Sequence, residues 1–109
     1  MDNLLYLRLE AHNPTLNHHR RYEVRLGRDL FGRWVVTLGF GRDGKGGQQL
    51  SYSDDNREGI REIIRESLGR RSSAPRRIGC SYGVSELAFA EDIDAGYWLP
   101  PEFQRVEMT

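Results

Sequence analysis

Leu5, Leu7 and Leu9 alternate with Tyr6, Arg8 and Glu10, the period of two expected of a strand with one dry and one wet face. Ala11 to His19, rich in Asn, Pro and His, is expected to be a loop, because Pro14 restricts the backbone and offers no ladder donor. The alternation resumes with Tyr22, Val24 and Leu26 against Arg21, Glu23 and Arg25, and breaks at Gly27-Arg28-Asp29. After Gly32 it returns, with Trp34, Val36, Leu38 and Phe40 on one face and Val35 and Thr37 opposite, a spacing that predicts a hairpin. The glycines between Gly44 and Gly47 tolerate positive φ, and Gln48, Leu50 and Tyr52 restart the period, which predicts a second hairpin and an antiparallel sheet.

Helical spacing takes over at Ile60, Ile63, Ile64 and Leu68, which form one apolar stripe after the N-cap candidates Ser53-Asp54-Asp55-Asn56, with Gly69 as the expected stop. Arg57, Arg61 and Arg65 line one flank of that helix and Glu58, Glu62 and Glu66 the next. Glu58 with Arg61 and Glu62 with Arg65 are therefore expected to pair at i,i+3 on a solvated face. Arg70 to Arg77 holds four arginines around Pro75 and reads as a basic, flexible connection. Beyond it, Glu86 to Ala90 suits a short edge strand, and Tyr97-Trp98-Leu99-Pro100-Pro101 is too proline-rich for a central one. The fold class is α+β: an antiparallel sheet of four or five strands, one helix on one face and a C-terminal extension wrapping an edge.

At 109 residues the chain has the length of one domain, with 38% hydrophobic and 29% charged residues and a mean hydropathy of −0.67, the balance of a folded globule with a polar surface. Its formal net charge of +0 conceals an asymmetry. Every basic residue except Arg105 precedes Gly83, whereas Glu86, Glu91, Asp92, Asp94, Glu102 and Glu107 follow it, so the front carries about five surplus positive charges and the end about five negative. The division expected from this is 1–82 as the domain and 83–109 as an acidic extension. A lone Cys80 excludes an internal disulfide and fits a reducing compartment. No stretch has the length of a membrane span, and Met1-Asp2-Asn3 before Leu4-Leu5-Tyr6-Leu7 lacks a secretory pattern, so the expectation is a soluble, cytoplasmic protein.

Gly39-Phe40-Gly41-Arg42-Asp43-Gly44 matches the dinucleotide fingerprint G-x-G-x-x-G in letters only. Gly46-Gly47-Gln48-Gln49-Leu50 leads into another strand, where the fingerprint needs a helix whose N-terminus holds the pyrophosphate. Gly44-Lys45-Gly46 lacks the spacing and the Ser or Thr of a P-loop. His12, His18 and His19 find no carboxylate or Cys at a metal-ligand spacing, and Cys80 and the serines stand in no activated motif. No catalytic residue, metal or cofactor is expected, and the protein is not expected to be an enzyme. The turn is either a Gly-rich hairpin connection alone, or a place where Arg42 and Lys45 stand beside exposed backbone N–H groups in a geometry suited to phosphate.

Three separated motifs, Asn17-x-x-Arg20-x-Tyr22, Leu30-Phe31-Gly32-Arg33-Trp34 and Phe40-Gly41-Arg42, occur in the order and spacing of the WGR domain. From about Leu4 to Tyr82 the chain resembles that family, a small module of poly(ADP-ribose) polymerases and of stand-alone bacterial proteins named for a Trp-Gly-Arg triplet. The resemblance implies a non-catalytic module, since the ADP-ribosylating activity of those relatives lies in a separate domain. It also implies that Phe40, Arg42 and Lys45 occupy the positions that contact nucleic acid near a strand end. Phe40 keeps the apolar stacking face of the family's Trp and lacks its indole N–H. Gly79-Cys80-Ser81-Tyr82 stands where the family closes with Gly-Tyr, with two extra residues.

Trp34 shares a face with Val36 and Leu38 and is expected in the core. Arg20 and Tyr22 either brace a loop and pack a ring, or Arg20 or Arg21 touches phosphate. The resulting expectation is a module that contacts nucleic-acid backbone, DNA ahead of RNA, through Phe40, Gly41, Arg42, Lys45, Arg20, Arg21, Arg76 and Arg77. The alternative is a protein-interaction adaptor that docks a partner through the acidic extension and its Phe89, Tyr97, Trp98 and Phe103. If the extension is a flexible arm, its acids are expected to fold back over the arginines and compete with phosphate.

Overall fold

In a computed structural model, which describes residues 2–13, 18–42, 47–73 and 81–106, the alternating segments form one antiparallel sheet. Its strands are β1 (Asp2–Asn13), β2 (His18–Arg28), β3 (Trp34–Arg42), β4 (Gln48–Asp54) and β5 (Gly83–Phe89), in the spatial order β4-β3-β2-β1-β5. The first four make a meander. The chain then crosses the sheet as α1 (Arg57–Ser72) and returns beside β1 as the far edge.

The period of two decides which face is dry. Leu5, Leu7, Leu9, Tyr22, Val24, Leu26, Val36 and Leu38 are buried against Ile60, Ile64 and Leu68 of α1, so the helical stripe and the alternating strands meet as one core. Asn56 caps α1, its side-chain Oδ1 accepting from the Glu58 N–H at 2.9 Å. Three boundaries differ from expectation, one of them β5, which begins at Gly83 rather than at the expected Glu86 because Val84 enters the core. β1 and β2 extend through much of the expected loop, because Ala11 is buried opposite Arg20 and the ladder continues to Asn13 and His18; Pro14 and Asn17 lie outside the described residues. α1 also continues past Gly69 to Ser72. A mid-helix glycine costs only about 1 kcal/mol against alanine, and the turn beyond it is anchored by Arg71 on the Tyr22 ring.

The residues after Tyr82 are part of this body. Val84 of β5 is in the core, followed by the short helix α2 (Ala95–Trp98) and a 3₁₀ turn (Pro101–Phe103) that insert Trp98, Leu99 and Phe103. Trp98 lies 5.1 Å, ring to ring, from the half-buried Trp34, which packs against the core as its strand pattern predicts. The carbonyls at the end of α2 have no helical partners. Arg61 Nε donates to the Tyr97 carbonyl at 2.7 Å, and Arg65 Nη2 donates to Gly96 at 2.9 Å, Tyr97 at 3.1 Å and Leu99 at 3.3 Å. Neither arginine forms the expected i,i+3 pair, because leaving the part-buried carbonyls unsatisfied costs more than a solvated ion pair gains.

The β2–β3 connection is tightly organised. Asp29 Oδ1 accepts from the backbone N–H groups of Phe31 at 2.9 Å and Arg33 at 3.0 Å, and its Oδ2 from Arg33 Nε at 2.9 Å. Gly32 takes φ +79, a left-handed conformation that side chains resist, and its carbonyl accepts from Arg28 Nη2 at 2.6 Å. No helix among the described residues is long and apolar enough to cross a membrane.

Candidate functional site

Strand register brings the first and third sequence motifs together. Arg20, Arg21 and Tyr22 at the start of β2 stand opposite Arg42, Gly41 and Phe40 at the end of β3. These strand ends, the last turn of α1 and the entry to β5 enclose a cleft of about 320 Å³ lined by Arg20, Arg21, Tyr22, Phe40, Gly41, Arg71 and Tyr82. The Arg20 and Arg71 side chains and three aromatic rings are on the cleft side, Arg21 alternates to the other face of β2, and no carboxylate is among the described residues that line the cleft.

The rings form its wall. Tyr22 and Phe40 stack with centroids 6.2 Å apart and planes 21° apart, and the Arg71 guanidinium lies 4.0 Å over Tyr22. Such a cation over a ring is worth ~0.5–2 kcal/mol and uses the flat face of the guanidinium, so the edge donors stay available. The Nε atoms of Arg20 and Arg71 are buried with no hydrogen-bond partner among the described residues. A buried unsatisfied donor typically costs ~1–3 kcal/mol, more when charged, and an anion in the cleft would offset that cost. Arg8 Nε, also without a hydrogen bond, stands 3.5 Å from the Glu10 carboxylate and so has its countercharge.

The Arg21 guanidinium reaches Gly47 on the outer face, in a hollow shared with Glu23 and Arg25. A Cβ at that glycine would sit 2.9 Å from Arg21 Nη2 and 2.8 Å from the Phe40 carbonyl, so only glycine lets the two strand ends and the guanidinium approach. On the outer face of the sheet the arginines meet carboxylates: Arg25 Nη2 pairs with Glu23 Oε2 at 2.9 Å and Arg8 with Glu23 at 3.7 Å, while His19 Nε2 is 2.8 Å from Glu10 Oε1.

Of the expected site residues, the structure gathers Phe40, Gly41, Arg20 and Arg21 at the cleft and places the Arg42 backbone across from Arg20. The side chain of Arg42 and the residues Lys45, Arg76 and Arg77 lie outside what is described. From the sequence, Arg71 enters the basic surface only as part of the Arg70–Arg77 connection, and Tyr82 was missed as a cleft residue. Arg71 carried a signal, since it continues the stripe of Ile64 and Leu68 at i+3 and therefore turns its stem toward the sheet. The aromatics expected on an exposed extension are differently placed: Trp98 and Phe103 are each 3% exposed and Tyr97 is half-buried, which leaves Phe89 alone of the four in solvent. The segment that carries most of the acids is not a free arm. Asp94 caps α2 through the Gly96 N–H at 2.9 Å, and Glu102 accepts from Ser72 Oγ at 2.9 Å.

Among the described residues no three His, Cys, Asp or Glu side chains gather as metal ligands. No family model matches this chain, and neither a curated protein nor a solved structure matches it.

Proposed function

We propose that the protein is a non-catalytic nucleic-acid-binding module of WGR type that takes the phosphate backbone into the cleft between the β2–β3 strand ends and the last turn of α1. The observation that carries the reading is the composition of that cleft: Arg20 and Arg71 beside Tyr22, Phe40 and Tyr82, with no acid among its described lining residues. Guanidinium groups suit phosphate because they donate in a fixed fork, and the rings offer sequence-tolerant stacking to a sugar or base. Contacts of this kind position a backbone and read little sequence. The motif resemblance, with Phe40 and Gly41 of its third motif lining the cleft, supports the same reading and favours DNA with an exposed strand end.

The test is a titration by fluorescence anisotropy with nicked, blunt and closed duplexes and an RNA duplex, at two ionic strengths. Binding is expected to weaken steeply with salt, with a log–log slope of about −0.9 per neutralised phosphate. Salt-insensitive binding, or none at micromolar protein, would overturn the proposal.

A further inference from the structure

The two edges of the sheet are built differently. β5 is irregular where it pairs with β1, with a register shift between Arg8 and Leu9, and carries Glu86 mid-strand. Bulges and edge charges are devices that discourage another strand from adding. β4, at the other edge, has none of them. Its register with β3 is regular from Trp34↔Asp54 to Phe40↔Gln48, its seven residues Gln48-Gln49-Leu50-Ser51-Tyr52-Ser53-Asp54 are all exposed, and its one charge is at the end. No described strand pairs with its outer side. An edge of that kind presents a row of N–H and C=O groups without strand partners, a template on which an extended backbone can pair.

The side chains specify which backbone. Leu50 and Tyr52, 47% and 41% exposed, lie on the helix-facing side opposite Leu38 and Val36. Beside them a groove of about 230 Å³ runs between β4 and α1, lined by Leu38, Tyr52, Ile63, Glu66, Ser67 and Arg70. The strand is nearly symmetric about Ser51: an apolar residue on each side, then Gln49 and Ser53, then Gln48 and Asp54. Paired antiparallel with itself about Ser51, it sets Leu50 against Tyr52 twice and places no like charges opposite each other. The second Leu50 then stands next to the groove.

We infer that β4 pairs with β4 of a second copy of this chain, antiparallel and centred on Ser51, so that two five-stranded sheets become one continuous sheet. This contact is on the opposite side of β3 from β2, and no residue of β4 lines the cleft.

Sedimentation equilibrium on the full chain is expected to give a monomer–dimer equilibrium. Leu50→Lys with Tyr52→Lys, at positions already near half exposure, is expected to weaken it about tenfold or more while the monomer keeps its circular dichroism. Register is tested in a Cys80→Ser background. Residues directly opposite in such a pair have Cα atoms about 4.5–5.5 Å apart, within disulfide reach, so Ser51→Cys is expected to cross-link under mild oxidation. Ser53→Cys, offset from its copy by roughly 13 Å, is not. A chain that stays monomeric to about 1 mM overturns the inference and leaves the edge to an extended segment of another protein. A dimer indifferent to the lysines, or a cross-link at Ser53 in preference to Ser51, overturns it as well.

Discussion

Arg65 and Arg71 belong to the same helix and end in opposite situations. With Arg61, Arg65 is spent on the carbonyls of Gly96, Tyr97 and Leu99 and fastens the C-terminal segment to α1. Arg71 rests on Tyr22 in the cleft, and its Nε meets no acceptor among the described residues. A guanidinium becomes a clamp where an element ends in bare carbonyls, and a receptor where cations gather beside rings without acids. Charge counted along the chain cannot separate the two, because it records the donors and ignores the acceptors.

The comparison breaks most decisively at Trp98. If the segment after β5 is core, Trp98→Ala removes a ring in contact with both Trp34 and Tyr97 and is expected to cost ~3–5 kcal/mol in urea unfolding. A loose arm would lose almost nothing. Arg65→Met comes next. It withdraws the donor to the Gly96 carbonyl, two donors from Tyr97 and one from Leu99, the last two carbonyls keeping Arg61 and Gln104, so about 1.5–3 kcal/mol of stability is expected to go. Nucleic-acid affinity should stay within about twofold, because Arg65 does not line the cleft and is committed to the C-terminal carbonyls.

Arg71→Gln is the reverse experiment. Loss of the cation over Tyr22 is expected to cost only ~0.5–1 kcal/mol of stability. Binding to duplex DNA should weaken several-fold, and the salt slope should fall by about one phosphate. A loss of stability with no change in slope would make Arg71 a second clamp and remove the distinction from Arg65.

The parts of the fold legible in the sequence were those fixed by period. Leu5-Leu7-Leu9, Tyr22-Val24-Leu26 and Ile60-Ile64-Leu68 each announce a face, and all are buried where that face meets its neighbour. The β1–β2 extension was hidden because Ala11 is small and the histidines are polar, yet backbone pairing continues through them. The cleft was half legible. Phe40-Gly41-Arg42 and Arg20-Arg21 stand out as motifs, but only the antiparallel register reveals that they are opposite each other. The role of Arg61 and Arg65 was illegible, since it depends on carbonyls more than thirty residues later in the chain.

A third set of arginines, on the outer face, gives the mildest test. Hydrogen bonds from Ser85 and then His19, with the charge of Arg8 adding to them, hold the Glu10 carboxyl below its ordinary range despite the opposing effect of burial. A lowered folded-state value means that the stabilisation is complete above the ordinary carboxylate range and is lost as pH falls through the lowered one. Wild type should therefore exceed Glu10→Gln in urea midpoint at pH 7, with the gap closing in acid. The same variant sharpens the comparison of arginines, because it removes a carboxylate that pairs with Arg8 while leaving the cleft untouched. If the cleft is the receptor, Glu10→Gln binds duplex DNA as wild type does at pH 7. If the whole cationic sheet face takes phosphate, the variant binds more tightly, and compensation by acids ceases to be what separates structural arginines from receptive ones.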